Sequence, residues 1–153
     1  DKAVALARSL NENGFAATAV NDLETGVRDA DIVTCATLAT SPLIKGDWLK
    51  PGAHLDLVGG FTPDMREADD DAMRRGRIFV DTRDGALAEA GDLIDPIAAG
   101  AITASDVVGE MSELCRGTVA GRGAADEITV FKSVGAAIED LAAAELALKR
   151  RGD

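Results

Sequence analysis

Short β-branched runs, each closed by a glycine, a proline or a polar turn and then followed by a helical stretch, recur along this chain. This rhythm constrains the fold more than any other feature. Asp31-Ile32-Val33-Thr34-Cys35 is continuously apolar after its first residue, as expected of a parallel strand covered on both faces. Lys50-Pro51-Gly52 marks a turn, and His54 to Val58 reads as the next strand, stopped by Gly59-Gly60. Arg77 to Asp81 and Ile128 to Phe131 read as two more, and Phe15 to Val20 as a short strand near the start.

The stretches between these strands have helical periodicity. Ala3, Leu6, Ala7 and Leu10 share one face of a helix from about Lys2 to Glu12, with Gly14 able to end it. Asn21 with Glu24 reads as a capping box opening a helix through Arg28. Further helices are expected over Arg66–Arg75, Gly85–Ala90, Leu93–Ala99 and Asp106–Arg116, with Gly117 to Ala125 as a glycine-bearing loop. A long helix, about 134–150, ends the chain, with Ala137, Leu141, Ala144 and Leu148 on one face and Lys149, Arg150 and Arg151 complementing its dipole.

Strands alternating with helices predict an α/β domain of Rossmann type, an open and mainly parallel sheet with helices on both faces. Its 153 residues suit a single domain. Right-handed crossovers place every strand's C-terminal end on one edge, where loops and helix N-termini present backbone N–H groups to ligands. No G-x-G-x-x-G lies between a strand and a helix. The glycines of Gly117 to Gly123 lack the preceding strand. The chain is therefore expected to begin after the first βαβ element of such a domain.

Composition excludes several function classes. Sixteen Lys plus Arg against 27 Asp plus Glu give a net charge of −11, which repels nucleic-acid backbones and anionic lipid surfaces. Apolar runs such as Ile32 to Ala36 fall far short of the roughly 20 residues of a membrane helix. No leader pattern opens the chain, and Cys35 and Cys115 have neither metal nor disulfide-scaffold spacing, so a reduced, cytoplasmic protein without a metal is expected. The single histidine, His54, starts a strand at the edge opposite the binding edge and reads as structural. Asp69-Asp70-Asp71 and the Arg74-to-Arg77 run read as solvated faces, and Cys35 as a small buried hydrophobe.

Three loops should meet at the binding edge: Thr34–Thr37, Val58–Phe61 and Phe131–Gly135. Gly59-Gly60 lets a flat ligand approach the main chain, or serves simply as a tight turn. Ser133 stands where strand becomes helix, so it can cap the helix, face a ligand, or do both.

The segments ADIVTCAT, LKPGAHLDLVGGFTPDMRE, GALAEAGDLIDPI and DEITVFKSVGAAIEDLAAA, in this order, resemble the ornithine cyclodeaminase and mu-crystallin family over about Ala16 to Ala144. The resemblance implies the later part of an NAD(P)-binding domain, whose final helix would pack toward a separate dimerisation domain in a homodimer. It implies NAD or NADP as cofactor, with Thr37, Val58, Gly59, Gly60 and Ser133 on the nicotinamide side and Phe61 and Val134 near a small imino or amino acid. Members that deaminate ornithine or alanine carry an Asp after the V-G-G or V-G-A turn; here Phe61 stands there, and Phe transfers no proton. FTPDMRE looks more like the branch that reduces cyclic imino acids such as 1-pyrroline-2-carboxylate to proline. An ornithine cyclodeaminase with another acid, and a non-catalytic mu-crystallin-like binding protein, are the alternatives. In the family, the basic residues that grip substrate and the pyrophosphate fingerprint lie N-terminal to this region, so these residues alone are expected to be inactive.

Overall fold

A computed structural model describes residues 1–151; positions 152 and 153 of the expected domain lie outside the described residues. The elements are α1 (Lys2–Glu12), α2 (Leu23–Asp29), β1 (Ile32–Cys35), β2 (His54–Leu57), α3 (Asp70–Arg75), β3 (Arg77–Val80), α4 (Arg83–Glu89), α5 (Gly91–Ala98), β4 (Val107–Glu110), α6 (Met111–Arg116), β5 (Thr129–Lys132) and α7 (Ala137–Arg151). All five strands are parallel, in the order β1-β2-β5-β3-β4. The predicted α/β architecture is therefore present. The last strand inserts between β2 and β3, which brings its end beside the end of β2.

Pleat alternation divides the sheet into two faces. Leu55, Leu57, Ile78, Val80 and Val130 are all fully buried, on the face covered by Val27 of α2, Met73 of α3, Ala86 of α4 and Leu93 of α5. On the other face α6 brings Met111 and Leu114 over Phe79 and Phe131, leaving a cavity of about 460 Å³ that His54 and Asp56 also line. His54 hydrogen-bonds Thr129 through Nδ1 (2.8 Å) at the strand starts, in keeping with a structural part.

Several local expectations are corrected. Phe15 to Val20 forms no strand: the Asn11 side-chain amide donates to the Ala17 carbonyl (2.7 Å) and accepts from the Ala17 N–H (3.2 Å), taking both groups a ladder would need. β1, expected to be covered on both faces, is the sheet edge, and Ile32 is 66% exposed. Asp22 rather than Asn21 caps α2, accepting from the Thr25 N–H at 3.1 Å. The expected helix over Arg66–Arg75 starts only at Asp70, because Asp69 caps it and Ala68 bridges to Ile44 in extended backbone.

The expected helix over Asp106–Arg116 is instead a 3-10 turn at Ala104–Asp106, then β4, then α6. Val107 and Val108 favour the strand, and Gly109 fits where a Cβ would press on Phe79 (3.2 Å) and Val119 (3.0 Å). α4 and α5 each run slightly ahead of the expected Gly85–Ala90 and Leu93–Ala99. β5 runs one residue past Phe131, which puts Lys132 inside the sheet. The final helix begins at Ala137, later than the expected 134, so Ser133 does not cap it. None of its residues is buried, and Ile138, Leu141 and Leu148 are exposed.

Candidate functional site

Parallel pairing fixes the strand ends relative to one another, and hydrogen bonds continue past the strands to tie the loops together. Val58 and Gly59 N–H both donate to the Cys35 carbonyl (2.8 and 3.3 Å), Ser133 N–H to Leu57 (3.1 Å) and Asp81 N–H to Lys132 (3.3 Å). The loops carrying Thr37, Val58-Gly59-Gly60-Phe61 and Ser133-Val134 thus meet at one edge, as the topology predicted. Val58 and Phe61 are each nearly half exposed (45% and 44%) and flank the two buried glycines, an apolar strip suited to a flat ring. Thr37 and Ser133 are half-buried. The Val134 side chain packs toward Gly85 on α4 and joins the core margin.

Beneath this edge lies a charged cluster that the sequence reading did not pick out. Glu67, Asp92 and Lys132 are all completely buried. Glu67 accepts from both the N–H (2.6 Å) and the hydroxyl (2.8 Å) of Thr37. Asp92 accepts the N–H groups of Glu67 (2.8 Å) and Ala68 (3.0 Å) through Oδ1, and its Oδ2 faces Lys132 Nζ at 3.5 Å. Lys132 Nζ donates to the carbonyls of Leu57 (3.2 Å) and Gly59. One cluster therefore holds all three loops. Burial pushes the Asp92 carboxyl above its ordinary range despite these donors.

The cluster also explains the glycines. A Cβ at Gly59 would overlap the Thr37 carbonyl and the Glu67 carboxylate; one at Gly60, where φ is +61°, would stand 2.6 Å from Asp92 Oδ2. The chain's own groups, rather than a ligand alone, require both positions to lack a side chain. Asp81 plays the matching part on the other side. Its Oδ2 accepts the N–H groups of Val134 (2.8 Å) and Gly135 (2.7 Å), and this carboxylate, rather than Ser133, satisfies the turn before α7.

Cys35 is no nucleophile: burial first, and the Glu67 and Asp92 carboxylates next, push its thiol up to about 12. Asp69 is a helix cap, and Arg75 donates to the carbonyls of Gly46 and Leu49, so the charge runs are partly structural rather than wholly solvated. Among the described residues no group of His, Cys, Asp and Glu could hold a metal ion.

The family model described as ornithine cyclodeaminase/mu-crystallin matches residues 1–151. The chain belongs to that family. It is 51% identical over 123 residues to a Delta(1)-pyrroline-2-carboxylate reductase of Paracoccus denitrificans, covering 80% of this chain and 39% of the relative. Identity to the ketimine reductase mu-crystallin of Mus musculus is 39% over 142 residues, covering 89% and 42%. The solved structure of the Delta(1)-pyrroline-2-carboxylate reductase of Thermococcus litoralis, in complex with NADH and L-proline, superposes with a TM-score of 0.88 at 36% identity over 96% of this chain and 45% of that one. The chain thus spans less than half the length of these family members.

Lys132 and Asp92 had a signal in the sequence. A lysine follows four residues of strand character in Ile128–Phe131, and its pleat parity points it inward with Val130. A buried ammonium then requires a buried carboxylate. Which carboxylate answers it is decided only by the packing of α5.

Proposed function

We propose that this chain is the later part of an NAD(P)-binding domain, in a protein that uses NAD(P)H to reduce cyclic imino acids of the 1-pyrroline-2-carboxylate type. In this reading Thr37, Val58, Gly59, Gly60 and Ser133 make the nicotinamide side of the cofactor site. Phe61 and Val134 border the substrate. The hydride comes from the bound nicotinamide cofactor. The chain's own residues shape and hold the edge: Val58 and Phe61 offer an apolar strip to the ring, and the Glu67 and Asp81 carboxylates fix the flanking loops.

The observation that carries the reading is Phe61, at the tip of the two-glycine turn and 44% exposed, in the place where the deaminating branch has a proton-transferring Asp. A cyclic imine already protonated on nitrogen accepts a hydride without an acid at that position. Ornithine deamination needs the acid, and the two carboxylates packed against the glycines of the turn, Glu67 and Asp92, are completely buried behind it. The relatives named as pyrroline-2-carboxylate reductases support the same choice. The exposed apolar face of α7, with Ile138, Leu141 and Leu148, suits packing toward the dimerisation domain of a homodimer. No described helix is long and apolar enough to cross a membrane.

The test is oxidation of NADH or NADPH by the full-length protein with 1-pyrroline-2-carboxylate. Reduction to proline supports the proposal, whereas ammonia release from ornithine, or tight cofactor binding with neither reaction, overturns it. Residues 1–153 alone are expected to give no turnover, since hydride transfer needs donor and acceptor held within about 3–3.5 Å of each other.

A further inference from the structure

The buried cluster does more than fill the core. Lys132 Nζ, with no access to water, donates to the Gly59 carbonyl and so draws that oxygen inward, toward Asp92. No peptide bond among the described residues is cis. In a trans peptide the C=O and the next N–H point in opposite directions. The N–H of Gly60 is therefore directed away from Lys132, and among the described residues it has no hydrogen-bond partner. Gly60 is a buried residue, and a backbone N–H that finds no acceptor within the chain is ordinarily matched by water or a ligand.

We propose that Lys132 is a positioning residue which orients the Gly59–Gly60 peptide so that the Gly60 N–H donates to the carboxamide oxygen of the nicotinamide. This rests on the cofactor assignment above. Two buried oxygens, Glu67 Oε2 and Asp92 Oδ2, also lack hydrogen bonds, so the cluster retains unmatched acceptors around a single ammonium. That arrangement is poor as plain core packing, since apolar side chains of the same volume stabilise as well or better. It is useful where one peptide plane must be held in one orientation. Gly60, at φ +61°, is the residue that lets the chain turn there.

The experiment uses the full-length protein, its Lys132→Met variant and the Lys132→Met/Asp92→Asn double variant. Melting temperature is measured alongside the Kd for NADH and for the analogue in which sulfur, a weaker acceptor, replaces the carboxamide oxygen. The wild type should prefer NADH over the sulfur analogue. Lys132→Met should weaken NADH about tenfold to a hundredfold, as loss of a charge-assisted tether implies. It should weaken the analogue much less, so that the preference disappears. The double variant removes the uncompensated carboxylate and should recover most of the melting temperature without recovering the preference, which also covers the case in which the single variant does not fold.

Recovery of NADH affinity in step with the melting temperature would mean that Lys132 serves the core alone, and the inference fails. It fails equally if Lys132→Met keeps the wild-type preference, or if the wild type shows none. Absence of NADH and NADPH binding by the wild type would instead overturn the cofactor assignment itself.

Discussion

Replacing Gly59 with alanine tests how the edge is built. The backbone there needs no glycine for its φ, so the whole effect comes from space. The new methyl would overlap the Thr37 carbonyl oxygen and Glu67 Oε1, where an ordinary C···O contact needs about 3.3 Å. Thr37 is main chain and Glu67 is fully buried, so neither can swing aside; the turn itself must move by roughly an ångström. That movement breaks the hydrogen bonds of Val58 and Gly59 to Cys35 and strains those of Thr37 to Glu67. At about 1 kcal/mol for each lost bond, Gly59→Ala should cost about 2–4 kcal/mol in urea unfolding. A displacement of this size should also lower turnover about a hundredfold. Gly14→Ala is the control: its φ is +87° but nothing lies within 4 Å, so only the left-handed backbone penalty of about 1 kcal/mol applies. If Gly59→Ala costs no more than Gly14→Ala, the packed-turn account is wrong.

Three further outcomes are expected. Asp81→Ala removes the acceptor for the Val134 and Gly135 N–H groups and should destabilise by about 2–3 kcal/mol, with faster amide exchange at those two residues; unchanged exchange would refute it. Thr37→Val keeps the shape and deletes the hydroxyl's bond to Glu67 (2.8 Å) and the longer one it accepts from the Ala39 N–H (3.3 Å), so a loss of about 1–2 kcal/mol is expected from chemical denaturation, below that of Gly59→Ala. Burial raises the Cys35 thiol from an ordinary 9.0 in the unfolded chain to about 12 in the folded one. Its contribution is therefore fully present below pH 9 and lost as pH rises toward 12, and the stability advantage of wild type over Cys35→Ala should shrink by about 1 kcal/mol between pH 8 and pH 10. A constant difference across that range would contradict the burial.

Elements whose own side chains carry the signal were legible in the sequence. Ile32–Cys35, His54–Leu57 and Arg77–Val80 lie within the predicted strands, because β-branched and apolar runs bounded by turn residues leave few other options. β4 was not legible. Val107-Val108-Gly109-Glu110 is too short to outweigh the helical residues after it, and only pairing with β3 makes it a strand. Phe15 to Val20 failed in the opposite sense: its composition suits a strand, but the Asn11 side chain takes the Ala17 N–H and carbonyl that a ladder would need.

The candidate site divides in the same way. Periodicity and turn chemistry are local, so the sequence alone determined a parallel α/β sheet and the convergence of the loops at Thr37, Gly59-Gly60 and Ser133 on its C-terminal edge. Burial and charge pairing depend on residues far apart in the chain. Pleat parity already turned Lys132 inward, but long-range packing selected Asp92 as the carboxylate that meets it, brought Glu67 back 30 residues to Thr37, and made Asp81 rather than Ser133 close the last turn. Their energies arise from removal from water, and no residue carries that property until the chain around it has folded.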